Sequence, residues 1–417
     1  MAVAALANWP HLGWLLVGFA VVSDSDASPT ALTSVGGIAI YPADGVATLL
    51  LVAALFTASI IAKNLAAHGK SLAVVGVLLA LNLAQGYSSY GIASINEFRQ
   101  FYYIAAVLTW ALSLQWSERT LVYFKRWIVL TGLCLTLVLV QGIRTKGFAG
   151  ASDYYVDAMG NWRTLRPVVA AQAGFLAFAG LFALWQFLDK PRSRWALLGL
   201  VFLGGAVVAQ HRTVWAAMAA GLAVLLFRTS AGRQHQGGLR IAMGTSLIGV
   251  GWIAERSSDV ADVLGSSLQS ALQGGGTFGG RVAGWSALID QSAKEGPRAV
   301  VLGDVFGAGY ARVQSGELVT YMPHNWYVSL YVRVGLIGLG AAVFLLLRTV
   351  LVLQRARATL QLTIAVFLIV YCIPYSMPYY LAPALAFALI GAIRLRHPIE
   401  GTAPTSVDSS GGVVRPR

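Results

Sequence analysis

The stretch Tyr321-Met322-Pro323-His324-Asn325-Trp326-Tyr327 closes a polar segment and opens an apolar run, Val328 to Leu347, broken by a single charge at Arg333. At 1.5 Å per residue that run is about 30 Å long as a helix, the thickness of a bilayer's hydrocarbon core. Pro323 suits the first turn of such a helix, because its missing N–H would have no partner there. His324 therefore stands where water meets lipid. After His324-Asn325 and nine more residues comes Gly335-Leu336-Ile337-Gly338, so the pattern reads H-N-x9-G-x-x-G.

The rest of the chain agrees with a membrane setting. It has 417 residues, 57% hydrophobic and only 11% charged, with 45 glycines. Soluble domains carry roughly 25% charged residues, so the soluble class is excluded on composition. Cys134 and Cys372 both lie inside apolar runs and read as buried hydrophobes. They offer neither a disulfide framework nor a metal cluster.

Twelve apolar runs can be drawn, at about 5–22, 45–62, 72–88, 100–115, 127–143, 167–188, 195–210, 213–228, 240–254, 326–347, 359–373 and 378–394. The first could be a signal peptide, but no Lys or Arg precedes it, so a retained helix is expected. The fold expected is all-α, a polytopic membrane protein with about twelve transmembrane helices. Residues 1–397 would form the membrane domain, with a long, partly helical external loop at about 255–325. Residues 398–417, rich in Ser, Gly and Pro, would be a disordered cytoplasmic tail. No internal repeat is visible.

Charge orients the bundle. With the N-terminus inside, the cytoplasmic loops receive Lys63 and Lys70, then Arg119, Lys125 and Arg126, then Lys190, Arg192 and Arg194. They also receive Arg228, Arg233, Arg240, Arg348, Arg355 and Arg357, and the C-terminal arginines. The opposite loop at 23–44 carries Asp24, Asp26 and Asp44 but no base, and the short one near 374–377 has no charge. This is the positive-inside pattern. The formal net charge of +13 is therefore mostly topology and not a nucleic-acid footprint.

The bases that break the pattern carry the information. Arg144, Lys146, Arg163 and Arg166 fall in an external loop at about 143–166. Arg212 sits in the tight turn Gln210-His211-Arg212-Thr213, Arg281 in the long external segment, and Arg333 inside the tenth run. In the long segment Val260, Val263, Leu264 and Leu268 recur at helical spacing. Gly274 to Gly280 reads as a flexible break, and a second amphipathic helix opens at Arg281 with Trp285, Leu288 and Ile289 on one face. A Gly-rich turn, Phe306-Gly307-Ala308-Gly309-Tyr310, leads back toward His324.

Arg212, Arg281 and His324 thus share one membrane face. Two guanidinium forks match phosphate oxygens two at a time, and helix starts at Arg281 and His324 would favour an anion. A histidine beside two arginines is held neutral and basic. Such a set can hold a diphosphate, take a proton from an attacking hydroxyl and let the diphosphate leave. No carboxylate or histidine cluster has metal-ligand spacing, so neither metal nor other cofactor is expected. Each residue also has a plainer reading. Arg212 could be an interfacial anchor, Arg281 a solvated helix start, and His211 a structural neighbour of Arg212. Arg163 and Arg166 could bind lipid headgroups or simply be solvated. Asn325 and Tyr310 complete the substrate-binding candidates.

The H-N-x9-G-x-x-G stretch, the Gly-Gly-Arg281-x-x-x-Trp285 helix start and the short His211-Arg212-Thr213 turn resemble the bacterial O-antigen ligase family, within the larger O-antigen ligase and polymerase superfamily. The resemblance runs from about 45 to 394 and is sharpest between 205 and 340. It implies a metal-independent, inverting GT-C glycosyltransferase of the bacterial inner membrane, with both termini cytoplasmic. Such an enzyme moves glycan from undecaprenyl diphosphate to lipid A–core on the periplasmic face. By resemblance, Arg212 and Arg281 would bind the diphosphate and His324 would activate the acceptor hydroxyl. Arg333 departs from the family, whose members often carry an acid there. On a straight helix it lies roughly opposite His324 and about 13 Å along, so it would pair inside the bundle or line a lipid-tail groove. The superfamily's polymerases share the donor chemistry and differ in the acceptor. A glycolipid transporter is the rival of another class, and it would place charges near mid-membrane in broken helices.

Overall fold

The computed structural model describes residues 6, 11–23, 32–35, 38–65, 69–146, 154–156, 162–164, 166–229, 277–314, 317–320 and 322–396. In chain order the elements are α1 (His11–Ser23), β1 (Thr33–Val35), β2 (Ile38–Ile40), α2 (Pro42–Leu55), α3 (Ala58–Leu65), α4 (Gly69–Tyr90), α5 (Ile92–Ser113) and α6 (Glu118–Lys146). Then come β3 (Tyr154–Val156), β4 (Trp162–Thr164), α7 (Ala170–Asp189), α8 (Ser193–Val208), α9 (Arg212–Thr229), α10 (Thr277–Glu295) and α11 (Pro297–Leu302). The chain closes with β5 (Arg312–Gln314), β6 (Glu317–Val319), α12 (Trp326–Arg355), α13 (Thr359–Tyr371), a 3-10 turn (Tyr379–Leu381) and α14 (Ala382–Arg396). The apolar run at 240–254, the helical spacing at 260–268, Gly274–Gly276, Tyr321 and the tail beyond 397 lie outside the described residues.

In their described residues the other apolar runs lie on helices, with three departures from expectation. The run at 45–62 is two helices, α2 and α3, which meet at 85°. Thr57 closes the bend by donating to the Ala54 carbonyl at 3.0 Å, and Asn64 ties the far end of α3 to the Leu112 carbonyl at 2.7 Å. Second, three short antiparallel hairpins, β1–β2, β3–β4 and β5–β6, interrupt the expected all-α pattern. All three fall in loops that the charge pattern puts outside. Third, length is uneven. Among the described residues, α4, α6, α7 and α12 are long and apolar enough to cross a membrane, and the bent α2–α3 pair makes a fifth if counted as one span. The described residues are therefore mostly helical, with four or five helices suited to a bilayer.

The core is organised on α7, which is apolar all round and buried on every side. It packs against α6, α8, α9 and α13. Small residues bring the backbones together, as in helix packing within lipid. A Cβ on Gly174 would stand 2.7 Å from the Tyr371 ring, and one on Gly180 would stand 2.5 Å from Leu203. A second knot joins Trp14 to Trp110, Trp116, Phe124 and Trp127, with ring centroids 4.9–6.1 Å apart.

One end of this bundle gathers the predicted external loops. Asp44, at the start of α2, accepts from Tyr103 at 2.8 Å and pairs with Arg99 at 3.1 Å, while Arg99 also reaches the Ala39 carbonyl. Gln172, at the start of α7, holds the Val21 carbonyl at the end of α1 at 3.0 Å. Glu97 of α5 accepts from Gly307 at 2.7 Å, and Tyr103 packs on Tyr379 at 5.3 Å. The segment before His324 opens onto this same end.

Candidate active site

Three local devices build the site. The first is the head of α12. Asn325 caps the helix, accepting from the Val328 N–H at 3.0 Å, and is only 7% exposed. Its oxygen serves the helix. His324 precedes this cap and is exposed. The Pro323 carbonyl before it accepts from Ser376, and the Trp326 N–H after it donates to the Cys372 carbonyl at 3.1 Å. The imidazole is thus bracketed by the short linker between α13 and the 3-10 turn.

The second device is the turn between α8 and α9. Gln210 adopts φ 58°, a left-handed conformation uncommon outside glycine, while 2% exposed. The turn buries His211 and starts α9 at Arg212. His211 Nε2 lies 3.0 Å from the Val168 carbonyl, and Nδ1 lies 3.0 Å from Arg166 Nη1. A carbonyl only accepts and a guanidinium only donates, so the pairing assigns the proton to Nε2. Burial, then the charge of Arg166, lower the His211 pKa to about 3 against the pull of the Val168 carbonyl. With both nitrogens engaged, His211 steadies Arg166 and is no proton acceptor. Arg212 stands within reach of the Arg166 charge.

The third is α10. The helix begins at Thr277, which puts Arg281 one turn inside it and not at its head as expected. The glycines Gly279 and Gly280 continue the helix where a break was expected. Arg281 thus gains no first-turn N–H groups for an anion, and Arg212 is the arginine that heads a helix. Arg281 Nη1 donates to the Pro374 carbonyl at 3.4 Å, and its guanidinium lies 5.5 Å from the centre of the Tyr375 ring.

Tyr375 connects all three, and sequence reasoning missed it. Its ring meets His324 edge-on at 6.3 Å and His211 edge-on at 6.4 Å, and it stacks on Tyr371 at 5.5 Å. Its hydroxyl is 3.5 Å from His211 Nδ1. The available signal was an uncharged, Pro-flanked aromatic run, Pro374-Tyr375-Ser376-Met377-Pro378, on the predicted external face. Arg312 was missed too. It is 6% exposed, donates to the Tyr310 carbonyl at 3.0 Å, and its charge reaches His324.

The imidazole of His324 is tuned by this company. One side is open to water, yet desolvation by the residues packed around it, then the like charges of Arg281 and Arg312, lower its pKa to about 4. It is neutral at pH 7, beside cations that attract an anion.

The other candidates lie elsewhere. Tyr310 is buried, and its phenol accepts from Arg333 Nε at 3.4 Å. It is a partner of Arg333, not part of the group around Tyr375. Arg163 stands on β4 opposite Tyr155. Among the described residues no His, Cys, Asp or Glu cluster could hold a metal ion. A cavity of about 470 Å³ lined by His11, Trp110, Arg119 and Tyr123 lies at the other end of the bundle and shares no residue with this group. No protein-family model matches the chain, and no curated protein matches it.

Proposed function

We propose that this protein is a GT-C-type glycosyltransferase of the bacterial inner membrane, with about twelve spans, that moves O-antigen polysaccharide from undecaprenyl diphosphate to lipid A–core. The acceptor hydroxyl oxygen attacks the anomeric carbon in line. The bond from that carbon to the diphosphate oxygen breaks, configuration inverts, and the hydroxyl proton passes to His324. Arg281 and Arg212 hold the diphosphate and stabilise the charge it carries away. Arg166 and Arg312 add to the same positive field. The mechanism routes no step through a metal.

The observation that carries this reading is that a neutral His324 and Arg281 both contact the Tyr375 ring. A base and an anion holder gathered at one aromatic ring suit a reaction that removes a proton and expels a diphosphate. The H-N-x9-G-x-x-G resemblance supplies the choice of donor and acceptor.

The test is a lipopolysaccharide gel from a deletion strain complemented with wild type, His324→Ala or Arg281→Ala. The reading requires that deletion abolish the polymer ladder, that lipid-linked polymer accumulate, and that neither variant restore the ladder. Core carrying one repeat unit would make the protein the polymerase instead. A normal ladder in the deletion strain overturns both.

A further inference from the structure

The tenth apolar run contains an arginine that the proposed chemistry does not use. Arg333 has no exposed surface at all. It pairs with Glu97 of α5 and lies 3.6 Å from Asp304. Its two terminal nitrogens donate to the Val305 and Gly309 carbonyls, each at 2.6 Å, and its Nε to the Tyr310 phenol. The guanidinium also faces the rings of Tyr310 at 4.6 Å and Phe306 at 5.4 Å. A buried charge persists only when so fully paired.

Just beyond it α12 breaks. Gly335 has φ 60° and ψ −167°, so Trp326–Val334 is a short helical piece and the rest of α12 a second one. Backbone fills the break. A Cβ on Gly335 would stand 2.4 Å from Val301, and one on Gly303 would stand 2.5 Å from Arg333 and Val334. Carbonyls near the break find new donors. Val332 accepts from the Asp304 N–H at 2.7 Å, and Arg333 accepts from Asn82 at 2.9 Å. The same Asn82 side chain holds the Leu302 carbonyl at 2.9 Å.

We infer that Arg333 is a positioning residue for His324, because it clamps the inner end of the short helix whose outer end carries the imidazole. The piece is about 13 Å long, so a tilt of about 10° at Gly335 would carry His324 about 2 Å. Misplacement by 1 Å costs catalytic geometry on the order of a hundredfold. Arg333 touches neither His324 nor Arg281. Its side chain ties the short helix to loop 303–310 and α5, beside the backbone bond from Asp304 to Val332. The loop runs on to Arg312, so one clamp fixes both His324 and one of the cations beside it.

This inference rests on His324 being the base, and its test separates the two ideas. Arg333→Lys keeps the charge but cannot reach both carbonyls, and Arg333→Met with Glu97→Gln removes the pair together. Each purified protein is assayed for transfer from a lipid-linked donor. In parallel, carbethoxylation of His324 by diethyl pyrocarbonate is followed against pH by peptide mass spectrometry. The expectation is a fall in kcat of about ten- to hundredfold with donor KM within about twofold. The midpoint of His324 modification should rise toward the ordinary histidine value as the ring leaves Arg281, Arg312 and Tyr375. If both variants keep the wild-type midpoint, the inference is overturned, whatever happens to kcat. If the midpoint moves but wild type itself transfers nothing, the positioning stands and the transferase reading falls. Should neither variant fold, Glu97→Gln alone carries the same measurement.

Discussion

At the scale of the residue, His324 and His211 differ in what their nitrogens are doing. Both His211 nitrogens are hydrogen-bonded, Nε2 donating to the Val168 carbonyl and Nδ1 accepting from Arg166, whereas His324 is exposed. Replacing His324 by Gln should lower transfer by about 10²–10⁴-fold while leaving donor affinity near wild type, as expected of a general base. Calorimetric donor binding beside single-turnover kinetics would check it, and unchanged turnover would remove His324 from the mechanism. Tyr375→Leu should cost more than Tyr375→Phe, since the phenyl ring keeps the edge contacts and the face offered to Arg281. Both histidines have folded-state pKa values below the unfolded value, about 3 and about 4. The unfolded chain therefore binds more protons in acid. The stability they contribute is complete above pH 6.5 and is lost as pH falls toward 3–4. For buried His211 the loss at pH 4 is about 3 kcal/mol. The open side of His324 makes its share smaller. Thermal midpoints in detergent between pH 7 and pH 4 would show the decline, and His211→Asn should flatten it.

At the scale of the element, glycine decides where α12 breaks. Gly335→Ala meets the backbone of Val301 at 2.4 Å in a left-handed conformation. It should cost more than about 3 kcal/mol, from backbone strain and displaced main chain together. Gly340→Ala, with nothing within 4 Å of the added carbon, should be neutral or stabilising by about 0.5–1 kcal/mol. Comparing their unfolding midpoints tests the break without reference to activity. The sequence placed this helix and the glycines within it, but expected Pro323 in its first turn, whereas the helix starts at Trp326 behind the Asn325 cap. It did not reveal the break. Gly335 and Gly338 are equivalent in a pattern, and only the backbone of Val301 and Gly303 pressed against the first makes it the hinge.

At the scale of the whole molecule, charge asymmetry and packing meet. The loops that the charge pattern puts outside come together at one end of the bundle, with Asp44, Arg99, Glu97, Gln172 and Tyr379 making contacts. The basic loops at 190–194 and 355–358 belong to the opposite sense of the chain. With Cys134 and Cys372 replaced, Ser34→Cys should react with a membrane-impermeant maleimide in outer-membrane-permeabilised cells. Ser193→Cys should react only after the inner membrane is opened. Reversed labelling would invert the proposed orientation and rule out a periplasmic site.

The membrane class and the helical runs were legible in the sequence. They follow from hydrophobic length, charge bias and turn chemistry, which neighbouring residues encode. Packing alone decided that Tyr375 contacts both His324 and Arg281, that Arg281 sits a turn inside its helix, and that Arg333 belongs to Glu97. It also reassigned Tyr310 and Asn325, read from sequence as ligand contacts, to a buried arginine and a helix cap. The physical reason is that most of these partnerships join elements far apart in the chain. Which side chains meet there depends on how helices pack, and local periodicity does not specify it.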